Sequence, residues 1–253
     1  MGGPSALTRW CYPQKSKPGG SMDLLRYAAP FAISLAIAGM CGAQSADALV
    51  DQFNTTHVFW QQFDVAQKIV ERHDASVLPR LEGWLSNDDR HLRGNAAFVF
   101  ARLGDPRGLH VITAMLSDVS ARGEGQGVGS GVWSFPAQIS ADRYYAVHLL
   151  GELRDARAIP VLAGLLDDER VNYKVAWALG EIGGRAVVQL LLKMLRDNSS
   201  DVRVTAIDAL ASLGAVEALP VLKTLLSDDE QSHFGKLVSV AEAARAAVAK
   251  LER

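Results

Sequence analysis

The sequence contains six histidines, the side chains best suited to proton transfer or to binding a transition metal. They are His57, His73, His91, His110, His148 and His233. None belongs to a His-x-x-x-His or His-Glu-x-x-His pattern, which would place two imidazoles on one helix face for zinc. Both cysteines, Cys11 and Cys41, precede residue 44, so no thiolate site is expected after it. We therefore expect no metal, no cofactor and no catalytic residues.

One cluster could support acid–base chemistry. His148 and Glu152 are four residues apart, so they share one face if the segment is helical, and Tyr145 precedes them on that face. An enzyme that uses this cluster is the alternative to a protein without catalysis. The residue types and spacing are not distinctive enough to favour the enzyme.

A glycine-rich run, Gly123-Glu-Gly-Gln-Gly-Val-Gly-Ser-Gly131, superficially resembles a phosphate-binding loop. It lacks the Lys-Ser/Thr pair of such a loop, and no predicted strand precedes it. We interpret residues 119–140 as a flexible insertion with an apolar tip at Trp133, Phe135 and Pro136. Trp133 either contacts a partner or packs against its own repeat, and the sequence leaves both options open.

An export signal is predicted near the N-terminus. Residues 28–43 carry no charge, Arg26 stands just upstream, and small residues follow, with cleavage possible after Ala43, Ser45 or Ala48. The apolar run is shorter than the roughly 20 residues of a membrane span. Residues 1–43 are therefore read as an N-terminal extension and signal peptide, and the mature protein as periplasmic or secreted in a bacterium. A retained anchor and lipidation of Cys41 are the alternatives.

Composition favours packed helices and disfavours nucleic acid as a partner. Of 253 residues, 49% are apolar and only 7% aromatic. Beyond residue 43 the chain has 22 basic and 27 acidic side chains. A mildly acidic body lacks the clustered lysines and arginines that a phosphate backbone requires. We expect no nucleic acid, no stable membrane insertion after signal cleavage, and a monomer.

Internal repetition is the strongest pattern in the sequence. Four segments align: Val99-Phe-Ala-Arg-Leu-Gly-Asp105, Leu149-Leu-Gly-Glu-Leu-Arg-Asp155, Ala178-Leu-Gly-Glu-Ile-Gly-Gly184 and Ala209-Leu-Ala-Ser-Leu-Gly-Ala215. An amphipathic helical pattern follows each segment, and in three such helices a proline stands early. Units of about 30 residues that contain two helices must stack in order to bury their apolar faces.

The predicted fold is all-α, a right-handed α-solenoid of the armadillo type with about five to six stacked antiparallel helix pairs. Residues 44–74 are assigned to N-terminal capping helices and residues 75–253 to the solenoid. The final helix, rich in alanine and ending in charged residues, is expected to form a polar terminal cap.

The repeats resemble the HEAT repeat, in the short bacterial form also seen in phycobilisome lyases, over roughly residues 60–253. The resemblance rests on prolines eight residues before an acidic or amide position (Pro79, Pro160, Pro220) and on the six-residue spacings from Asn87 to Arg93 and from Asp197 to Arg203. It implies that Arg93, Arg143 and Arg203 form a hydrogen-bond ladder between repeats, with Asn172 replacing arginine once.

The resemblance also implies possible activities. A lyase-like or cofactor-attachment function is the alternative to the non-catalytic interpretation. The His-Glu dipeptides of the HEAT-type di-iron hydroxylases are absent from this sequence, so that activity is not carried over.

Repeat alignment predicts a binding stripe on the second helix of each pair, which in HEAT stacks lines the concave side. The predicted partner-binding residues on this stripe are Phe98, Arg102, Tyr145, His148, Glu152, Lys174, Trp177 and Glu181, and Trp133 of the insertion is added to them. Exposed aromatic rings flanked by charge are typical of binding hot spots. The predicted function is a non-catalytic scaffold or adaptor for a protein or peptide. A different helix rotation, or an insertion folded over the rings, would contradict the stripe.

Overall fold

Residues 44–120 and 135–253 are the part of the chain that the computed structural model describes, and they form six successive helix pairs. The pairs are α1 (Ala46–Thr55) with α2 (Phe59–Val70), α3 (Leu78–Leu81) with α4 (Arg90–Arg102), α5 (Pro106–Met115) with α6 (Phe135–Leu153), α7 (Ile159–Ala163) with α8 (Asn172–Ile182), α9 (Arg185–Met194) with α10 (Ser200–Ser212), and α11 (Leu219–Thr224) with α12 (Val240–Leu251). The described residues contain no strand beyond one isolated bridge. The predicted all-α stack of five to six pairs is confirmed.

Local sequence sets where the helices begin. Prolines occupy the first turn of α3, α5, α7 and α11, where the missing backbone N–H costs no hydrogen bond. Aspartate side chains cap the segments that begin after Asp89, Asp105 and Asp155 by accepting backbone N–H groups. Short 3₁₀ segments extend α3, α7 and α11, among them Glu82–Ser86 and Leu225–Ser227.

The second helices of the pairs pack against one another in chain order and form the second-helix row: α2, α4, α6, α8, α10 and α12. Small residues allow the close approach of neighbours in this row. A β-carbon added to Gly180 on α8 would lie 2.8 Å from the β-carbon of Ala209 on α10, closer than real atoms pack. The core is therefore one continuous apolar cluster that runs from α1 to α12.

The expected arginine ladder between repeats is present. Nη2 of Arg93 lies 2.7 Å from Asp118 and that of Arg143 lies 2.6 Å from Asp168, while Nε of Arg203 lies 3.0 Å from Asp228. Where the arginine is replaced, the amide of Asn172 donates to Asp197 at 3.2 Å. Each bond joins a residue of a second helix to an aspartate that follows the next first helix, 25 residues along the chain.

The last described helix, α12, has one buried and one exposed face. A capping box fixes the start of α12, because the Ser239 hydroxyl accepts the backbone N–H of Glu242 and the Glu242 carboxylate accepts that of Ser239. One face of α12 is buried through its alanines, while Arg245 and Lys250 are exposed on the other.

The predicted insertion is shorter than the sequence suggested. Helix α6 begins at Phe135, so residues 135–140 belong to that helix and not to a flexible segment. The glycine-rich run and Trp133 lie outside the described residues, and so does the predicted signal segment, residues 1–43, with both cysteines. Among the described helices, none has the length and apolar character to cross a membrane.

Candidate functional site

Rings from four neighbouring second helices meet on one side of the second-helix row. This aromatic row consists of Phe59, Phe63, His91, Phe98, Tyr145, His148 and Trp177. The ring centroids of Phe63 and Phe98 are 5.0 Å apart, and those of His148 and Trp177 are 5.1 Å apart with nearly parallel planes. Such spacings are within the range of favourable aromatic packing. The predicted stripe does bring its aromatic residues together.

The expected exposure of these rings is wrong for three of the four aromatic residues in the predicted stripe. Phe98 is 3% exposed, Tyr145 6% and His148 9%. Rings of successive helices cover one another, and Phe59 and Phe63 of α2 add to them at the N-terminal end. The sequence analysis assigned residues 44–74 to N-terminal capping helices, and it missed that Phe59 and Phe63 of this segment pack directly on the stripe.

A buried chain of hydrogen bonds ties α6 to α4 and α2. The Tyr145 hydroxyl donates to Asn95 Oδ1, and the Asn95 amide donates to Gln62 Oε1 at 3.0 Å and to the Phe59 carbonyl at 2.8 Å. Gln62 in turn donates to the Phe53 carbonyl at 3.3 Å. Asn95 and Gln62 are wholly buried, so these bonds replace the water that both amides lose on folding.

Trp177 is the last ring of the aromatic row, and a lysine lies over its face. Lys174 Nζ lies 3.4 Å from the centroid of Trp177, one helical turn away on α8, and 5.5 Å from that of Tyr144. This is cation–π geometry, which a partly desolvated ammonium strengthens. Trp177 and Lys174 remain partly exposed, in contrast to the rings before them.

The charged rim that the sequence predicted stays accessible. Arg102 is exposed, while Glu152 and Glu181 are half-buried. Glu181 forms an ion pair with Arg154 at 2.6 Å, but within residues 44–120 and 135–253 no ion pair or hydrogen bond reaches the Glu152 carboxylate. Burial, and then the neighbouring Glu181 charge, raise the pKa of Glu152. We call Arg102, Glu152, Lys174, Trp177 and Glu181 the open strip.

The acid–base cluster is not assembled as the enzyme reading requires. Burial, and then the Lys174 charge, lower the pKa of His148 to about 3, so its imidazole is neutral at physiological pH. The Tyr145 hydroxyl points to Asn95. No group of three or more His, Cys, Asp or Glu side chains in the described part of the chain is arranged to hold a metal ion.

The C-terminal part of the row is occupied by a loop that sequence reasoning missed. Gln231–Lys236 lies on α8 and α10, where Asp201 accepts three hydrogen bonds from it. Local sequence carries no signal for this contact, because Asp201 looks like an ordinary acidic residue in the first turn of a helix. Asp208, which the repeat alignment places in register with Trp177, faces Lys236 of this loop.

Comparison with known proteins identifies the repeats. A family model described as HEAT repeats matches residues 140–203 and 167–234. Deoxyhypusine hydroxylase of Candida albicans is 34% identical over 93 residues, which cover 35% of this chain and 29% of that protein. Phycocyanobilin lyase subunit alpha of a Picosynechococcus species is 35% identical over 96 residues, which cover 34% of this chain and 36% of that one.

The matched region spans about a third of the length of these curated relatives. A designed armadillo repeat protein is similar in structure, with a TM-score of 0.42 and 19% sequence identity, over 82% of this chain and all of that one. The matches to the HEAT-repeat model and to the lyase subunit confirm the resemblance that the sequence analysis stated.

Proposed function

We propose that this chain, whose residues 140–234 match a HEAT-repeat family model, is a non-catalytic scaffold that binds a segment of a protein partner along its second-helix row. The observation that carries the proposal is the open strip. There, an accessible tryptophan, a lysine and two carboxylates lie together on α6 and α8, next to an exposed arginine of α4. Half-buried aromatic and charged groups on a rigid helical surface are the usual anchors of protein interfaces.

The proposed contact area is smaller than the stripe that the sequence suggested. Phe98, Tyr145 and His148 are buried, so we do not count them as partner contacts, and of the three His148 stacks directly on Trp177. The main polar feature is the Glu152 carboxylate, which forms no hydrogen bond or ion pair with any residue that the structure describes. A partner that donates N–H groups to it would relieve the cost of its partial burial.

An enzymatic role is the second candidate, because both matched relatives carry the names of enzymes. A half-buried carboxylate with a raised pKa is a common general acid or base, and Glu152 has this property. This reading predicts turnover that is lost in Glu152→Gln. The scaffold reading predicts no turnover and a Glu152→Gln variant that binds more weakly.

The compartment of the scaffold is proposed as the periplasm. Its support is the uncharged run at residues 28–43, which follows Arg26 and precedes small residues. Fractionation of cells that express a C-terminally tagged full chain tests this point. Tagged protein of reduced mass in the periplasmic fraction is the expected result, and full-length protein in the cytoplasmic fraction would contradict it.

The binding proposal is tested with the purified full chain and a displayed library of random peptides. We expect enriched peptides whose affinity, measured by fluorescence anisotropy, falls about tenfold or more in a Glu152→Gln, Trp177→Leu double variant. Arg185→Ala with Gln189→Ala, two exposed positions on α9, is the matched control and should bind as the wild type does. Circular dichroism confirms that all proteins are folded. Enriched peptides that bind both variants equally, or no enrichment at all, would overturn the proposal.

A further inference from the structure

The loop between α11 and α12 is held on the second-helix row mainly through its backbone. Oδ1 of Asp201 accepts the backbone N–H of His233 at 2.6 Å and that of Phe234 at 2.8 Å, and also the Ser232 hydroxyl at 2.7 Å. The Ser200 hydroxyl donates to the Gln231 carbonyl at 2.8 Å. The first turn of α10 therefore reads the main chain of a non-helical segment, as a peptide-binding site does.

Side chains of α8 and α10 complete this seat. The ring of Phe234 lies 6.4 Å from that of Tyr173, and Lys236 Nζ lies 3.4 Å from Asp208. Gly235 has φ of +67° and passes so close to Tyr173 that a β-carbon would lie 2.5 Å from the phenol oxygen. Burial, and then the charge of Asp201, raise the pKa of the Tyr173 phenol.

The seat is continuous with the open strip. Asp208 occupies on α10 the repeat position that Trp177 holds on α8, and Tyr173 lies four residues before Trp177 on α8, on the same helix face. The same stripe is thus covered by packed rings at its N-terminal end and by the chain's own loop at its C-terminal end. Between them lies the open strip.

The outer part of the loop is weakly held. The ion pair of Lys236 with Asp208 joins two side chains that are 50% and 45% exposed, a class of contact that contributes little to stability. Leu237 follows it with 72% of its surface exposed, which is unusual for a large apolar side chain. The firmly held part is the turn at Ser232, whose side chain is buried.

From this arrangement we propose that residues 231–236 are an intramolecular occupant of a segment-binding seat on α8 and α10, and that the partner's segment displaces them with the same chemistry. The partner's segment would donate two adjacent backbone N–H groups to Asp201 and pack an aromatic ring against Tyr173. A lysine or arginine that follows the ring would pair with Asp208. The inference rests on the proposed scaffold function and adds where the partner's basic residue docks.

A tethered occupant acts as a filter. A loop attached at both ends competes at an effective concentration on the order of millimolar. The apparent affinity of an external segment is reduced by the fraction of molecules whose seat is free. Only segments with several matching contacts therefore displace the loop, and weakening the loop tightens binding without any change in the seat.

The test uses a labelled peptide with the sequence of residues 229–238, Asp-Glu-Gln-Ser-His-Phe-Gly-Lys-Leu-Val, and the full chain. A Phe234→Ala, Lys236→Ala variant frees the outer loop but leaves Ser232 and the seat intact. We expect this loop variant to bind the peptide about tenfold tighter than the wild type does. Adding Asp208→Asn to the loop variant should remove most of that gain, and a scrambled peptide is the control for sequence.

Two outcomes separate this inference from the scaffold proposal. Peptide binding that is absent from the loop variant, or that does not depend on Asp208, overturns the seat. Library peptides that need Glu152 and Trp177 but bind wild type and loop variant equally leave the scaffold proposal standing and also overturn the seat. Hydrogen exchange at His233 and Phe234 that speeds up when peptide is added to the wild type supports displacement, and unchanged exchange at saturation contradicts it.

Discussion

The hydroxyl of Tyr145 donates a hydrogen bond to the side-chain amide of Asn95, a residue 50 positions earlier in the chain and buried from solvent. This bond joins α6 to α4, although residues 116–134 intervene between α5 and α6. Asn95 passes the connection on to Gln62 of α2. Since a buried amide needs specific partners, the chain of bonds fixes how these three helices are aligned along their axes.

Removal of the Tyr145 hydroxyl should therefore destabilise the fold. Tyr145→Phe leaves the Asn95 oxygen buried without its donor, at a cost of about 1–3 kcal/mol in the free energy of unfolding. Urea denaturation followed by circular dichroism measures it. The control is a double-mutant cycle. In an Asn95→Leu background the same change should cost little, and additive costs would show that the bond is not the cause.

His148 should make stability depend on pH in mildly acidic solution. Its pKa is lowered to about 3 from an ordinary value of 6.5, first by burial and then by Lys174. The unfolded chain binds a proton below pH 6.5 that the folded chain does not. The stabilising contribution is therefore complete above pH 6.5 and is lost as pH falls towards 3. The expected slope is about 1.4 kcal/mol per pH unit.

The comparison that isolates this effect is His148→Phe, which keeps a ring against Trp177 but cannot titrate. Unfolding free energies of both proteins, measured between pH 7 and pH 4, should diverge, with the wild type falling more steeply. His110→Gln, at an exposed position on α5, is the matched control. Parallel curves for wild type and His148→Phe would contradict the assignment.

The sequence predicted the fold well because each repeat carries the same pattern and therefore predicts the same helix pair. Asp118, Asp168, Asp197 and Asp228 each take the same bond at the same spacing, so a pattern of prolines, acids and arginines located the helix pairs and the ladder. Periodicity also placed the ring positions on one side of the second-helix row. What it could not give was their exposure.

The predicted exposure of the rings was wrong because it depends on which residues pack over the stripe. Phe98 and His148 are covered in part by Phe63, a residue of a divergent first pair whose alignment to the repeat is weak. Asp208 is contacted by Lys236, from a loop without repeat counterpart. Both covering groups come from places where the sequence departs from the repeat, and there periodicity carries no information.

The arginine ladder should contribute more to the free energy of unfolding than surface ion pairs of similar length do. The Arg203 side chain is 9% exposed, donates to the Asp197 carbonyl at 2.7 Å, and pairs with Asp228 and Glu230. Arg203→Ala should lower the free energy of unfolding by about 1.5–3 kcal/mol, the range for buried hydrogen bonds to charged groups. The exposed pair of Lys223 with Glu252 supplies the control.

Lys223→Ala should cost less than about 1 kcal/mol, because both partners are solvated. The loss of unfolding free energy in Arg203→Lys should lie between those of the two alanine variants. Lysine keeps the charge but lacks the planar guanidinium, which can donate to a carbonyl and a carboxylate at once. Chemical denaturation of the three variants measures the order. Equal costs at Arg203 and Lys223 would show that the ladder has no special role.

Gly151 is required by Trp177. A β-carbon at Gly151 would lie 2.6 Å from the Trp177 ring and 3.0 Å from the Cα atom of Ala178, and one of these contacts is with backbone that cannot yield cheaply. Gly151→Ala should therefore separate α6 from α8 and cost about 1–3 kcal/mol, although alanine is the better helix former. Gly83→Ala, with no atom within 4 Å of the added carbon, should be neutral or stabilising.

The same substitution probes the open strip, because Trp177 carries Lys174 on its ring. If the ring must shift to accommodate Gly151→Ala, peptides that depend on Trp177 should bind this variant more weakly, while Gly83→Ala leaves their affinity unchanged. Thermal denaturation and anisotropy on the same samples separate the two effects. A Gly151→Ala protein as stable as the wild type, with unaltered peptide affinity, would show that α6 and α8 do not approach as closely as this contact requires.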